Sequence, residues 1–217
     1  MRNAILFDLD GTLTDPGLGI TSSILYALEK MGRPLPPRES LYPFIGPPLV
    51  ESFMKYCAMS EAEAQEALRL YREYFSVTGL FENSVYDGIP ALLDGLRERG
   101  FRLYLATSKP EIYARRIAER FDLARRLIFM GGAELSGERT AKADVIAYVM
   151  REAGLTPGEC IMVGDRRHDA EGAAAHGIPC IGVLWGYGDE AELRAAGAAH
   201  IAADPDGLFR LITDGAV

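Results

Sequence analysis

The chain has 217 residues, of which 48% are hydrophobic and 25% are charged. This balance is typical of a soluble globular protein and excludes disordered and fibrous classes. The formal net charge of -8 argues against a nucleic-acid-binding protein, because such proteins usually gather a basic face that replaces the counterions of the nucleic acid.

Short apolar runs recur along the chain between segments with helical spacing. Runs of this length, alternating with helical patterns of roughly 10–15 residues, are typical of buried parallel strands. The pattern therefore predicts an α/β fold with a Rossmann-like, doubly wound parallel sheet. The predicted strands are Ala4 to Phe7, Leu103 to Ala106, Leu127 to Met130, Ile161 to Val163, and Cys180 to Leu184.

One long segment interrupts this alternation. Residues 17–83 contain no convincing strand, and apolar residues recur there at helical spacing, as in Ile20-Ile24-Leu28-Met31. Ser60 and Glu63 have the spacing of a capping box. We therefore predict an inserted α-helical cap at 17–83, between the first and second strands of a core formed by residues 1–16 and 84–217.

Helices of the predicted core carry their own start and stop signals. The helix from Ile89 to Arg99 has Pro90 in its first turn and Gly100 beyond its end, which is the usual placement of these two residues. The last helix opens with Asp204 as its N-cap. These signals agree with the predicted alternation of strands and helices.

The cysteines and the N-terminus bear on the cellular compartment. Cys57, Cys160 and Cys180 are odd in number, far apart and in no CxxC spacing, so they indicate neither a disulfide framework nor a zinc site. The first apolar run is too short for a signal peptide, and no run reaches the roughly 18 residues of a membrane span. We expect a cytoplasmic protein that binds neither membranes nor nucleic-acid polymers.

Polar residues follow three of the predicted strands. In open α/β sheets, ligands bind at the carboxyl ends of the strands, so these residues are expected to meet in one crevice. Asp8 and Asp10 would point to opposite sides if the strand simply continued, so a turn at Gly11 is needed to bring both there. The segments are Asp8-Leu9-Asp10-Gly11-Thr12, Thr107-Ser108-Lys109 and Gly164-Asp165.

Four aspartates, Asp8, Asp10, Asp165 and Asp169, would then lie close together. Like charges a few Å apart repel by several kcal/mol at an effective dielectric of ~20, so a cation is implied. Oxygen donors without clustered histidine or thiolate favour Mg²⁺ over zinc or copper. Each aspartate taken alone also has a structural explanation, as a loop cap or as a carboxylate at a helix N-terminus.

At these positions the chain resembles the haloacid dehalogenase superfamily, and within it the phosphoglycolate-phosphatase-like group with a helical cap. The resemblance covers nearly the whole chain. A lone Asp-x-Asp-Gly-Thr is only suggestive, whereas four motifs in order, each at its expected strand or helix end, form a strong signal. The matching residues are Phe7 to Asp15, Thr107, Lys142, and Gly164 to Asp169.

The resemblance implies a magnesium-dependent phosphatase that hydrolyses small soluble phosphate monoesters through an aspartyl-phosphate. Asp8 would be the nucleophile, and Asp10 would act as general acid and then as general base. Thr107 would donate to a phosphoryl oxygen, and Lys142 would offset the negative charge there. Ser108 is a further candidate for contact with the substrate.

The resemblance also implies the ligands of Mg²⁺. These would be a carboxylate oxygen of Asp8, the backbone carbonyl of Asp10, and Asp165. Asp169, four residues after Asp165, would anchor this set without binding the ion.

The stretch Phe44-Ile45-Gly46-Pro47-Pro48-Leu49 lies within the predicted cap. Its stiff turn can aim backbone amides, with Gly46 as the candidate, at the leaving group of a substrate. An ordinary turn between helices explains the same residues. The resemblance implies that cap loops of this kind select substrates.

Other functions are weighed against this one. A sugar phosphomutase shares the aspartyl-phosphate and stays open as an alternative. A phosphoaspartate receiver module is disfavoured because it has no helical insertion, and a silent interaction protein is disfavoured because the motif residues are intact. A dehalogenase would not require the acid and base at Asp10. The sequence does not choose between phosphoglycolate, nucleotide or other small esters, nor between monomer and homodimer.

Overall fold

The computed structural model describes residues 2–136 and 138–215. The chain divides into two compact units, one containing the chain up to Thr14 and from Val85 onward, and the other Asp15–Ser84. The first unit is called the core and the second the cap below. No helix in the described part of the chain has both the length and the apolar character needed to cross a membrane.

The core contains a six-stranded sheet in which every neighbouring pair of strands is parallel. In chain order the strands of the described residues are β1 Ala4–Phe7, β2 Thr14–Asp15, β3 Ser84–Val85, β4 Arg102–Pro110, β5 Phe129–Ala133, β6 Cys160–Gly164, β7 Cys180–Val183 and β8 His200–Ala202. The strand order is β5-β4-β1-β6-β7-β8, and β2 pairs only with β3. The boundary between the two units falls within β2 and β3.

Helices flank this sheet and build the cap. In chain order they are α1 Gly17–Lys30, α2 Leu49–Cys57, α3 Glu61–Tyr74, α4 Ile89–Glu98, α5 Glu111–Arg120, α6 Lys142–Ala153, α7 Arg167–Ala174, α8 Glu190–Ala195 and α9 Pro205–Thr213. Helices α1 to α3 lie in the cap, and α4 to α9 lie in the core. This is the α/β, Rossmann-like architecture with an α-helical insertion that the apolar pattern predicts.

The strands of the sheet centre are buried on both faces. All residues of β1 are fully inaccessible to solvent, which explains why the run is continuously apolar and does not alternate with polar residues. Ala4 and Leu6 share an apolar cluster with Val145 and Ile146 of α6. Phe7 at the end of β1 is in register with Leu105 of β4 and Val163 of β6, so β1 and β6 end at nearly the same level, whereas β4 continues to Pro110.

The second, third and last strands differ from the sequence prediction. The second, β4, runs to Pro110, four residues beyond the predicted end at Ala106. The third begins at Phe129, two residues later than predicted, and runs on to Ala133 through Gly131 and Gly132. A Cβ atom on Gly132 would lie 2.6 Å from the Cα of Glu111, so only glycine fits beside the start of α5. Glycine normally breaks a strand pattern, which is why the sequence misplaced this strand. Strand β8 is too short to stand out in the sequence.

Apart from its end residues in β2 and β3, the regular secondary structure described in the cap is helical. Its own apolar core includes Ile24 of α1 and Phe53 of α2, both fully buried. The rings of Phe44 and Phe53 meet edge to face with centroids 5.3 Å apart. Helix α3 begins with the capping box that the sequence predicts, in which the Ser60 hydroxyl accepts from the Glu63 backbone N–H and the Glu63 carboxylate accepts from the Ser60 N–H.

A bidentate ion pair joins α4 to the turn before β5. The Nε and Nη2 atoms of Arg126 donate to the two carboxylate oxygens of Asp94, each over 2.8 Å. The Arg126 side chain is only 6% exposed, so this buried charge depends on its partner. The hydrogen bonds from Arg126 hold the pKa of Asp94 below its ordinary value.

We expect Asp94→Asn to lower the free energy of unfolding by about 1–2 kcal/mol at pH 7, because an amide pairs less well with a guanidinium and Asp94 is partly exposed. Since the folded-state pKa of Asp94 is depressed, its contribution is complete above the unfolded-state pKa and is lost as the pH falls through the folded-state pKa. Urea unfolding at pH 7 and pH 3 should show the difference between variant and wild type shrinking at pH 3. Glu152→Gln, in the exposed pair with Arg151, is the control and should change stability by less than about 0.5 kcal/mol.

Candidate active site

The loop after β1 turns back sharply on itself. The carbonyl of Leu9 accepts hydrogen bonds from the backbone N–H groups of Thr12, Leu13 and Thr14, and Gly11 has a φ of +82°. A Cβ atom on Gly11 would lie 2.1 Å from the Asp165 carboxylate, so the turn requires glycine both for its conformation and for this close approach. The turn that the sequence requires after Asp8 is thus present.

Three buried carboxylates meet at the carboxyl ends of β1 and β6. Asp8, Asp165 and Asp169 each offer an oxygen, and these oxygens all lie within 4.8 Å of one another. Asp8 follows β1 and donates its backbone N–H to Val163 of β6. Asp165 follows β6, and Asp169 is in the first turn of α7. The parallel register of β1 and β6 therefore brings together groups that are far apart in the chain.

Burial and mutual repulsion set the protonation of this cluster. Burial raises the pKa of Asp165 well above its ordinary value, and the charges of Asp169 and Asp8 raise it further. Burial also raises the pKa of Asp169 to about 6, against the opposing effect of Lys142. Burial and repulsion therefore disfavour the ionised forms of Asp165 and Asp169, and a cation bound at the cluster would favour them.

Lys142 is the ammonium group inside this cluster. Its Nζ lies 2.8 Å from Asp8 Oδ1 and 2.7 Å from Asp169 Oδ1, and it donates to the carbonyl of Ala106 over 3.1 Å. Burial alone would lower the pKa of Lys142, but the Asp169 and Asp8 carboxylates raise it above the ordinary value. The lysine therefore stays charged. From the first residue of α6, the side chain thus reaches β4 at Ala106.

Asp10 lies outside the carboxylate cluster and has its own cation. Lys109 Nζ donates to Asp10 Oδ2, and the side chains are 5% and 15% exposed. Burial raises the pKa of Asp10, while Lys109 opposes this rise. Asp10 Oδ1 is also buried and accepts no hydrogen bond from the described residues. The pairing of Lys109 with Asp10 is not predicted by the sequence, because Lys109-Pro110 is equally typical of the start of a helix.

Two of the predicted substrate contacts, Thr107 and Ser108, belong to the core, and Gly46 belongs to the cap. Thr107 is buried near the end of β4, and its hydroxyl oxygen accepts from the backbone N–H of Lys109 over 3.2 Å. Its hydroxyl hydrogen is thus free to be donated. Ser108 follows it and is half-buried. Gly46 lies in the cap, just ahead of α2, with a φ of +104°.

A segment that the sequence analysis did not single out also contacts the carboxylates. The backbone N–H of Tyr187 donates to Asp165 Oδ2 over 2.8 Å, and the indole N–H of Trp185 donates to the carbonyl of Thr12 over 2.9 Å. The available signal was the Trp-Gly-Tyr-Gly sequence directly after an apolar run, which places it at the same edge of the sheet as the other polar segments.

Comparison with known proteins identifies the family. Residues 5–183 match the model of the haloacid dehalogenase-like hydrolases. The chain is 50% identical over 208 residues to a protein of Pseudomonas aeruginosa named 5'-nucleotidase, and the match covers 96% of this chain and 94% of that protein. A crystal structure of a predicted phosphatase from Clostridium acetobutylicum superposes with a TM-score of 0.94 at 44% identity, covering 99% of each chain.

A third relative carries a different name. The Mycobacterium tuberculosis protein named tyrosine-protein kinase PtkA is 44% identical over 184 residues, which cover 85% of this chain and 62% of that protein. The family match spans most of the chain and includes every motif position from Asp8 to Asp169. The chain therefore belongs to the haloacid dehalogenase-like hydrolases, and within them it is a phosphatase.

Proposed function

We propose that this phosphatase hydrolyses nucleoside 5'-monophosphates with Mg²⁺ through an aspartyl-phosphate at Asp8. The observation that carries the proposal is the meeting of Asp8, Asp165 and Asp169, of which Asp8 and Asp169 contact the Lys142 ammonium, with Asp10 two residues along from Asp8. The choice of nucleotide over phosphoglycolate is supported by the 5'-nucleotidase name of the relative that is 50% identical. A Pseudomonas syringae relative named phosphoglycolate phosphatase is 27% identical over 190 residues.

The donor set fits a hard dication. Three buried carboxylates face a single ammonium, so one divalent cation compensates the remaining charge, and oxygen donors of this kind suit Mg²⁺. Asp8, Asp165 and the backbone carbonyl of Asp10 would hold the ion. Asp169 would anchor them through Lys142 and through its hydrogen bond from the Arg166 backbone N–H, 3.1 Å long. Bound Mg²⁺ would stabilise the charge on the phosphoryl oxygens.

In the first step, a carboxylate oxygen of Asp8 attacks phosphorus as the ester P–O bond breaks. The leaving alkoxide takes the proton of the Asp10 carboxyl. The buried position of Asp10 supports this role because burial favours its neutral form, while Lys109 fixes one of its oxygens in place. The products of this step are the released alcohol and an aspartyl-phosphate on Asp8.

In the second step, water attacks the phosphorus of this intermediate. The Asp10 carboxylate takes the proton of the water, the bond between phosphorus and Asp8 breaks, and inorganic phosphate leaves. Thr107 and Ser108 would donate to phosphoryl oxygens, and Lys142 would offset their charge. Gly46 would contribute a backbone contact to the leaving group from the cap. At the end of this step Asp10 is protonated again and Asp8 is again a carboxylate, so both have returned to their starting states.

The test is release of inorganic phosphate from a panel of esters by the purified chain, with Mg²⁺ and after removal of metal by EDTA. We expect kcat/KM for nucleoside 5'-monophosphates to exceed that for phosphoglycolate by at least about tenfold, and EDTA to abolish both activities. A preference for phosphoglycolate or phosphotyrosine contradicts the proposed substrate. Interconversion of sugar phosphate isomers without phosphate release would instead establish the phosphomutase.

A further inference from the structure

The segment 185–192 contacts the fourth motif at two points and the loop after β1 at a third. Trp185 bonds to the loop after β1, Tyr187 bonds to Asp165, and Glu192 of α8 bonds to the residues that follow Asp165. The segment lies beyond residues 5–183, to which the family model matches.

Two glycines allow the segment to lie against Asp165. A Cβ atom on Gly186 would lie 2.3 Å from the carbonyl oxygen of Gly11 and 2.4 Å from Asp165 Oδ2. A Cβ atom on Gly188 would lie 1.9 Å from the carbonyl oxygen of Asp165. Any side chain at these positions must displace either the segment or the aspartate, so the glycines fix the distance between them.

The contact with Tyr187 gives the two carboxylate oxygens of Asp165 different hydrogen-bond partners. Oδ2 accepts the backbone N–H of Tyr187 over 2.8 Å, whereas Oδ1 has only a long contact of 3.4 Å from the Thr12 hydroxyl. Because the donor is a backbone N–H, the hydrogen bond costs no side-chain conformational entropy on the donor side. The side chain of Asp165 is fully buried. Among the described residues, Oδ1 is therefore the less strongly hydrogen-bonded oxygen of Asp165.

Glu192 binds the two residues that follow Asp165. One oxygen of its carboxylate accepts from Arg166 Nε over 2.9 Å and from the backbone N–H of Arg167 over 2.8 Å. Asp189 caps α8 by accepting from the Glu192 backbone N–H, which fixes this helix turn. Asp165 is thus held in place by the hydrogen bond to its own carboxylate and by the hydrogen bonds that the two following residues donate to Glu192.

We propose that the segment 185–192 is a positioning element that makes Asp165 a ligand through Oδ1 alone and thereby favours Mg²⁺ over Ca²⁺. Mg²⁺ demands near-ideal octahedral geometry, whereas Ca²⁺ takes 6–8 oxygen ligands and accepts a carboxylate through both oxygens. An Asp165 whose Oδ2 is occupied by a backbone N–H suits the smaller ion. This inference rests on the magnesium site of the proposed function.

The test measures metal binding directly, on metal-free protein, by calorimetric titration with Mg²⁺ and separately with Ca²⁺. The variants are Trp185→Phe, which removes the indole N–H and leaves a smaller aromatic ring, together with Gly186→Ala and Glu192→Ala. We expect the Mg²⁺ dissociation constant to rise about tenfold, the usual scale for loss of a group that orients a metal ligand, with a smaller change for Ca²⁺. Glu192→Gln keeps an oxygen acceptor and should retain most of the Mg²⁺ affinity.

Matched controls separate positioning from general destabilisation. Gly158→Ala adds a Cβ with no atom within 4 Å, and Glu190→Ala removes the neighbouring α8 carboxylate, whose exposed partner is Arg194. Both controls should bind Mg²⁺ as the wild type does. If Gly186→Ala does not fold, Trp185→Phe and Glu192→Ala decide the result.

Two outcomes overturn the inference, and they differ from failure of the proposed function. Unchanged Mg²⁺ affinity in Trp185→Phe and Glu192→Ala, or equal losses for Mg²⁺ and Ca²⁺ with a lowered metal-free melting temperature, would show that the segment is only structural. A wild-type protein that binds no Mg²⁺ would contradict the proposed function itself, and the inference with it.

Discussion

We expect Asp8→Asn to abolish turnover, with kcat/KM falling by at least about 10⁴-fold, while the protein stays folded. An amide oxygen is a poor nucleophile toward phosphorus and a weaker ligand than a carboxylate. The fold should tolerate the change because Lys142 keeps Asp169 as a partner 2.7 Å away. Loss of one charge also relieves repulsion on Asp165, so the melting temperature without metal should be unchanged or higher.

The measurement is phosphate release at saturating Mg²⁺, with a second readout for the covalent intermediate. Borohydride reduces an aspartyl-phosphate to homoserine, so acid-quenched wild-type protein should carry homoserine at position 8 and the variant should not. Asp206→Asn, at an exposed position in α9, is the control and should keep full activity. Residual activity within tenfold of the wild type would refute the nucleophile assignment.

For Asp10→Asn we expect a loss of at least about a hundredfold in kcat/KM on nucleoside 5'-monophosphates, the usual scale of a general acid and base. The loss should be smaller on aryl phosphates, because a good leaving group needs less protonation. The variant keeps a hydrogen-bonding oxygen near Lys109, so the effect reports on proton transfer more than on the position of the loop. Steady-state kinetics on both ester types provide the comparison.

The ratio between the two ester types is the decisive quantity. Asp144→Asn, on the exposed side of α6, is the matched control and should leave both rates unchanged. An equal loss on alkyl and aryl esters would mean that Asp10 supports the loop and does not transfer the proton.

Much of the fold follows from local sequence patterns. The continuous apolar runs predict β1, β4, β6 and β7 because strands buried on both faces admit no polar alternation. The Asp204 N-cap and the Ser60 capping box are formed within a few residues of chain, so they too are visible in the sequence. The third strand was misplaced because Gly132 is required by close contact with the start of α5, and this contact is made only in the folded structure.

The candidate site likewise combines features that the local sequence predicts with features that only the tertiary structure reveals. The sequence by itself predicted which residues carry the chemistry, because that prediction rests on local placement. Asp8, Asp10 and Asp165 come after strands, Thr107 lies near the end of β4, and Lys142 opens α6. The partners of these side chains were decided only by the tertiary structure. The pairing of Lys109 with Asp10, separated by 99 positions, and the bond from Tyr187 to Asp165 arise because parallel strands bring distant loops to one edge of the sheet, where burial makes every polar group require a partner.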